Sequence, residues 1–183
     1  MIFEIRVADV NTYATLVADD SLDPMSKIFV CDGQAKSWHE RPVVKPSREP
    51  RKKKNAARAD VSYLWTGSLV LNQRAYDALH KLLLPFGQLL EVECQGKIEY
   101  QYNITNVLDC LDKDKTEFDE NGIVIREAFA PEFDGQEALI FKAPETVRNR
   151  MYVNQAAKER IALIIAQENL TGIKFSAPGS WPP

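Results

Sequence analysis

The stretches SLVLNQRAYDALHKLLLPFGQLLEVE (Ser68–Glu93) and RMYVNQAAKERIALIIAQENLTGIKF (Arg150–Phe175) decide the predicted fold of this 183-residue chain. Each reads as an apolar strand, an Asn-Gln pair, a helix of about 12 residues, a short turn and a second apolar strand. Asn72 is a residue type that favours the N-cap of a helix. Two strand–helix–strand units of this size predict helices packed on a mixed sheet.

Each predicted helix has one apolar face. Pro85 and Gly87 end the first helix, and Gly172 precedes the last predicted strand. The apolar positions at helical spacing are Ala75, Leu79, Leu82 and Leu83 in the first helix and Ala157, Ile161, Ile164 and Ile165 in the second.

Further strands are predicted on both sides of the first unit. Gln88–Cys94 and Lys97–Ile104 flank Gln95-Gly96, which is typical of an antiparallel hairpin. The other predicted strands are Ile2–Val7, Lys27–Cys31, Gly122–Phe129 and Ala138–Ala143. The predicted fold class is therefore α+β, with a mixed, mainly antiparallel sheet that carries both helices.

Residues 35–60 lack apolar periodicity. Pro42, Pro46 and Pro50 exclude a continuous helix or a central strand there, so a surface loop or a partly disordered, flexible arm is expected. The chain is divided into N-terminal strands with a basic arm (1–60), an α+β core (61–176) and a Pro-rich tail (177–183). We expect these parts to form one structural domain.

Charge and composition exclude several classes of protein. Residues 1–60 carry 11 basic and 9 acidic groups, and residues 61–183 carry 12 and 17, so the core is acidic and ill suited to a phosphate backbone. The longest apolar run, Ile161–Ala166, is too short to span a membrane, and the first residues do not resemble an export signal. Three widely spaced cysteines indicate reduced thiols in a cytoplasmic protein.

The basic stretch KPSREPRKKKNAAR, from Lys45 to Arg58, has seven basic residues and one acidic residue. It contains no aromatic side chain on which a base could stack. Three interpretations remain open: a solvated loop, an electrostatic contact to a protein, or a contact to nucleic acid through Arg51–Lys54. A nucleic-acid-associated binding module that uses this stretch is the alternative function.

No catalytic or metal-binding pattern is present in the sequence. His39 and His80 lie outside any local cluster of metal ligands, and there is no nucleophile elbow, phosphate-binding loop or dinucleotide fingerprint. A calcium loop that starts at Asp112 has Glu117 in place of the turn glycine and Ile123 in place of the bidentate glutamate. We therefore expect no enzyme activity, no cofactor and no metal. The open alternative is an enzyme whose dispersed catalytic groups, such as a Cys–His pair, are brought together only by the fold.

The segment LDCLDKDKTEFDENG, from Leu108 to Gly122, is the most acidic part of the core. Its carboxylates either keep a loop soluble or form a charged patch that attracts a basic protein. Asp109 and Asp112 are also suited to capping or closing a turn.

The order of several motifs between Leu64 and Phe175 resembles the eleventh-type immunity-protein family of bacterial polymorphic toxin systems. The motifs are SLVLNQRAYDAL, GQLLEVE, YNITNVLDCLD, ALIFK, YVNQAAKERI and ENLTGIKF. The resemblance implies a cytoplasmic α+β protein that binds and neutralises a toxin encoded beside it.

A toxin that acts on nucleic acid would be cationic, and the acidic segment would complement it. The residues expected to contact the toxin are Asp112, Asp114, Glu117, Asp119 and Glu120. The sequence specifies neither the toxin nor the oligomeric state.

Overall fold

The α+β class is confirmed by a computed structural model, which describes residues 1–8, 12–19, 27–47, 57–135 and 137–179. Of the strand pairs in its sheets, only one is parallel, so the pairing is mainly antiparallel, as predicted. The elements are β1 (Ile2–Val7), β2 (Leu16–Ala18), β3 (Val43–Pro46), β4 (Val61–Ser62), β5 (Leu69–Leu71), α1 (Gln73–Leu83), β6 (Gly87–Cys94), β7 (Lys97–Ile104), β8 (Glu117–Phe118), β9 (Val124–Arg126), β10 (Ile140–Phe141), β11 (Tyr152–Asn154), α2 (Gln155–Glu168) and β12 (Ile173–Ser176).

The described strands form three sheets. A four-stranded sheet has the order β10-β11-β1-β12, a six-stranded sheet has the order β2-β3-β6-β7-β5-β4, and β8 pairs with β9 alone. Strands β1, β2 and β3 therefore pair with one another or with strands from beyond residue 60. The division of the chain at residue 60 stays a prediction.

The two strand–helix–strand units have the same arrangement. In the first unit β7 lies between β5 and β6 and is antiparallel to both; in the second, β1 lies between β11 and β12 and is antiparallel to both. Each helix therefore connects two parallel strands across one intervening antiparallel strand. In the first unit the intervening strand is β7, which directly follows the unit in the sequence. In the second unit it is β1, from the start of the chain.

An asparagine caps each helix. The side chain of Asn72 accepts a hydrogen bond from the Ala75 amide, and that of Asn154 accepts one from the Ala157 amide. The predicted N-cap at Asn72 is thus confirmed. Asn154 is buried and does more, because its side chain also contacts the backbone of residues 135–139 through three further hydrogen bonds.

The main core lies where the helices meet the two large sheets. Predicted face residues Ala75, Leu79 and Leu83 of α1 and Ala157 and Ile161 of α2 are buried, while Leu82, Ile164 and Ile165 are half-buried against them. Tyr102 of β7 and Val153 of β11 join the same cluster. Burial of both helix faces against both sheets holds the two units together.

The Lys27–Cys31 strand prediction is wrong. Residues Lys27–Phe29 form a 3-10 turn at the start of a strap, which we define as residues 27–41 and which crosses the outer face of the six-stranded sheet. Side-chain amides of the sheet bond the strap: Gln101 donates to the Phe29 carbonyl (2.9 Å) and Asn103 to the Gln34 carbonyl (2.8 Å). The alternating apolar pattern does bury Phe29 and Cys31. However, this segment bonds to amide side chains of the sheet instead of pairing with the backbone of a neighbouring strand.

The prediction that residues 35–60 contain no central strand is also wrong. Strand β3 lies between β2 and β6. Pro46 is tolerated because it is the last residue of β3, opposite Leu16, beyond the two residues that pair with β6. The prolines limit the length of this strand but do not prevent it.

A buried lysine joins three separate segments. Lys142 follows β10, is 0% exposed, and its Nζ donates to the carbonyls of Cys31 (2.6 Å), Gly67 (2.8 Å) and Val147 (2.7 Å). Burial lowers the pKa of Lys142 to about 8, so the ammonium still carries its three protons at pH 7. Each proton therefore has an acceptor.

The strands predicted over Gly122–Phe129 and Ala138–Ala143 are present but shorter, as β9 and β10. Neither α1 nor α2, the helices in the described part of the chain, has the length and apolar composition needed to cross a membrane.

We predict that Asn154→Ala lowers the free energy of unfolding by about 3 kcal/mol, because the buried Ala157 amide, the partly buried Leu139 amide and two carbonyls lose their partner. Asn72→Ala removes a cap and one bond to Asp60, and we expect about 1–2 kcal/mol. Denaturant unfolding measures both. The neighbouring changes Gln73→Ala and Gln155→Ala are controls, expected within about 0.5 kcal/mol of the wild type. Equal losses for the two asparagines would contradict the extra role of Asn154.

Candidate protein-binding surface

The acidic segment is attached to the outer face of the four-stranded sheet. Cys110 and Leu111 are buried there in a cluster with Phe141 and Tyr152. The Thr116 hydroxyl donates to the Ala128 carbonyl and accepts from the Ala128 amide, both at 3.2 Å. We call residues 109–126 the acidic hairpin, because β8 and β9 pair within it and its base is fixed to the core.

Two of the five predicted contact residues have structural roles within the hairpin. Asp112 accepts hydrogen bonds from Lys115 Nζ (2.6 Å) and from the Asp114 amide (3.2 Å), and the bond from Lys115 lowers the pKa of Asp112. Asp119 Oδ1 accepts from the amides of Asn121 (2.9 Å) and Ile123 (2.7 Å) and so closes the tip. The turn-closing role considered for Asp112 is therefore present, and Asp119 has a similar one that the sequence did not indicate.

The other three predicted residues, Asp114, Glu117 and Glu120, are exposed. Glu117 lies 3.7 Å from Arg126 across the hairpin, and both side chains are well exposed to solvent. Within the described part of the chain, the carboxylates of Asp114 and Glu120 form neither an ion pair nor a hydrogen bond. These three residues are available for contact with another molecule.

Three large apolar side chains are exposed on the same hairpin. Phe118, Ile123 and Ile125 are 39%, 63% and 55% exposed, whereas Val124 between the two isoleucines is buried. The pairing shifts by one residue between Glu117 and Phe118, so Ile125 lies without a partner between the pairs Glu117–Arg126 and Phe118–Val124.

The exposed isoleucines were missed at the sequence level, although a signal was present. A strand that packs on one face buries only alternate residues, so Ile123, Val124 and Ile125 cannot all be buried in one strand of this kind. The structure buries Val124 and leaves its neighbours in solvent. The hairpin thus combines apolar side chains with six carboxylates and only three cations over residues 109–126.

The residues at the two ends of the basic stretch, which the structure describes, contact other parts of the fold. Lys45, in β3, lies 3.7 Å from the Asp19 carboxylate. Arg58 donates to both oxygens of Glu99 (3.1 and 2.6 Å) and to Ser62 Oγ (3.2 Å). The Arg51–Lys54 cluster, on which the nucleic-acid hypothesis rests, lies outside the described residues.

The histidines and cysteines do not converge. His80 is half-buried, with its ring stacked on Tyr76 (centroids 5.0 Å apart) and its Nδ1 2.9 Å from the Tyr76 carbonyl oxygen. All three cysteines are buried, and burial raises their pKa, to about 12 for Cys110. Among the residues that the structure describes, no three His, Cys, Asp or Glu side chains are grouped so that they could hold a metal ion.

Comparison with known proteins assigns this chain to no family. No family model matches the chain, and no curated protein matches it either. The resemblance of residues 64–175 to immunity proteins stays a prediction.

We predict that Arg58→Ala lowers the free energy of unfolding by about 3 kcal/mol, because buried Glu99 would lose its ion-pair partner. Lys113→Ala is the matched control, since the Lys113–Asp109 pair is exposed and should contribute less than about 1 kcal/mol. Urea denaturation of the two variants gives the comparison. If both lose the same small amount, Arg58 is not an anchor of the fold.

Proposed function

We propose that this protein is a cytoplasmic immunity protein that neutralises a cognate bacterial toxin by direct contact, with no catalysis of its own. The observation that carries the proposal is the acidic hairpin, where exposed carboxylates and exposed Phe118, Ile123 and Ile125 belong to the same short segment. The motif order over Leu64–Phe175 supports the same function. The partner is a toxin encoded beside this protein.

The charge of the hairpin fits a cationic toxin. Enzymes that act on nucleic acid carry basic surfaces for the phosphate backbone, and an acidic surface attracts them and speeds association. Asp114 and Glu120 have the largest role in this attraction, because no cation in the described part of the chain is paired with them. Asp112 and Asp119 contribute charge and also keep the backbone of the hairpin in place.

The apolar side chains supply the short-range part of the interaction. Binding energy at protein interfaces comes mainly from a few well-packed side chains within a polar rim. Ile123 and Ile125 are the two most exposed of the three on the hairpin, and Phe118 adds an exposed aromatic ring. We propose that these side chains enter a pocket on the toxin while the carboxylates pair with basic residues around it.

A fixed hairpin favours tight binding. Loops that become ordered on association lose conformational freedom, and this loss weakens binding. The hairpin already has its tip closed by Asp119 and its base held by Thr116. The bound toxin is then inactive either because the hairpin covers its active site or because contact holds it in an inactive conformation.

The experiment is a rescue and binding assay with the toxin encoded beside this protein. We predict that the double change Asp114→Lys/Glu120→Lys weakens binding about tenfold or more, mainly through slower association, and reduces its salt dependence. Ile123→Asp/Ile125→Asp should weaken binding at least as much through faster dissociation and should abolish protection of toxin-expressing cells.

The controls lie on α2, which packs on the opposite face of the four-stranded sheet. Glu159→Lys and Leu163→Asp make the same types of change at exposed positions there and should leave affinity and protection unchanged. Full protection by both hairpin variants would remove the hairpin from the proposal. Failure of the wild-type protein to protect cells would remove the immunity function itself.

A further inference from the structure

Among the residues that the structure describes, one face of the six-stranded sheet is only partly covered. The strap and its neighbours cover one side, where Leu16, Val44 and Val92 are buried. On the other side, the described residues of helix α1 cover the area around Leu71, Leu89 and Tyr102. We propose that the uncovered remainder, which we call the open face, binds the open face of a second copy of this chain.

Three apolar side chains define the open face. Ile98 of β7, Val43 of β3 and Val17 of β2 are 40%, 36% and 39% exposed. They belong to one side of the sheet, because Ile98 pairs with Glu93, Glu93 pairs with Val43, and Val17 lies on the side of its strand opposite to buried Leu16. Exposed apolar residues on three strands of one sheet face indicate a surface that another layer covers.

A stacked aromatic pair forms the border between α1 and the open face. Tyr100 of β7 stacks on Tyr76 of α1 with ring centroids 3.8 Å apart. Tyr100 is two residues from Ile98 and therefore points to the same side of the sheet. The stack holds the Tyr100 ring in a fixed position beside the apolar residues.

The charges on the open face favour a second copy over a strongly charged partner. Arg41 forms an ion pair with Glu91, Lys45 lies 3.7 Å from Asp19, and Glu93, which pairs with Val43, adds a third carboxylate. Cations and carboxylates are thus interspersed on the open face, whereas the acidic hairpin has twice as many carboxylates as cations. A face with both signs can be complementary to itself.

A two-fold axis gives this complementarity a definite geometry. Glu91 and Arg41 each lie two residues before a registered pair, Glu93 of β6 and Val43 of β3. An axis parallel to the strands and midway between β6 and β3 exchanges these strands between the copies. Glu91 of each copy then faces Arg41 of the other, and the apolar side chains lie around this pair of contacts.

The size of the open face predicts a weak dimer. Four strands at about 4.8 Å spacing and three rows of side chains at about 6.8 Å give roughly 400 Å². Stable complexes bury about 800 Å² per partner. The dimer should therefore form reversibly, at micromolar concentrations or above.

The first test is sedimentation velocity of the full chain over a series of concentrations up to the high micromolar range. We expect the weight-average mass of the wild type to rise towards that of a dimer. Ile98→Asp and Val43→Asp should sediment as monomers throughout, and Leu163→Asp, which exposes the same charge on α2, should behave as the wild type. Circular dichroism confirms that each variant is folded.

A wild type that stays monomeric at every concentration overturns the proposal, even if the open face proves to bind another protein. Dimers that persist in both Ile98→Asp and Val43→Asp also overturn it, because association then uses another surface. Protection against the toxin depends on the hairpin, so these outcomes leave the proposed function intact.

The second test addresses the geometry through charge. Glu91→Arg makes positions 41 and 91 both positive, and Arg41→Glu makes them both negative. Each variant alone should dimerise at least tenfold more weakly than the wild type, whereas an equimolar mixture should form heterodimers. Unchanged dimerisation of each single variant, or a mixture that associates no better than the single variants, would contradict the proposed axis.

Discussion

The ammonium group of Lys142 is the contact on which the rest of this structure depends. It is fully buried, and its three hydrogen bonds go to Cys31 in the strap, Gly67 before β5 and Val147 after the 3-10 turn that follows β10. An ammonium removed from water is costly unless every proton has an acceptor, so the three carbonyls must converge. These segments come from distant parts of the sequence, and Lys142 fixes their relative positions. The strap, in turn, covers one side of the six-stranded sheet.

Lys142 also bonds the segment that precedes the proposed binding surface. The backbone of Lys142 bonds Asn106 and Leu108, at the start of the acidic hairpin. At the other end of the hairpin, buried Glu127 accepts a hydrogen bond from Tyr152 and forms an ion pair with Arg150. Because both ends are held by the four-stranded sheet, the hairpin can expose Phe118, Ile123 and Ile125 without losing its shape. The buried contacts of the hairpin thus lie at its base, and its outer surface is exposed to solvent.

The sequence predicted those parts of the fold that depend on local pattern. Both helices, the cap at Asn72 and the β6–β7 hairpin follow from spacing and turn chemistry, and the hairpin turn has positive φ at Gln95 and Gly96. The strap was missed because Gln101 and Asn103, far along the chain, take the place of a neighbouring strand. Strand β3 was not predicted, because the prolines in this segment were given more weight than its short Val-Val pair. For the candidate site, charge indicated the acidic segment, but only three-dimensional contacts separate Asp112 and Asp119, which bond within the hairpin, from exposed Asp114, Glu117 and Glu120.

The most direct test of this account is the free energy of unfolding of Lys142→Met, measured in denaturant at pH 7, where the lysine is charged. Methionine has a similar length and no donors, so it leaves three buried carbonyls without partners. We predict a loss of at least about 3 kcal/mol. Buried charges in other proteins can be replaced by apolar side chains without loss, so the opposite result is physically possible. A Lys142→Met protein as stable as the wild type would contradict the claim that this lysine holds the fold together.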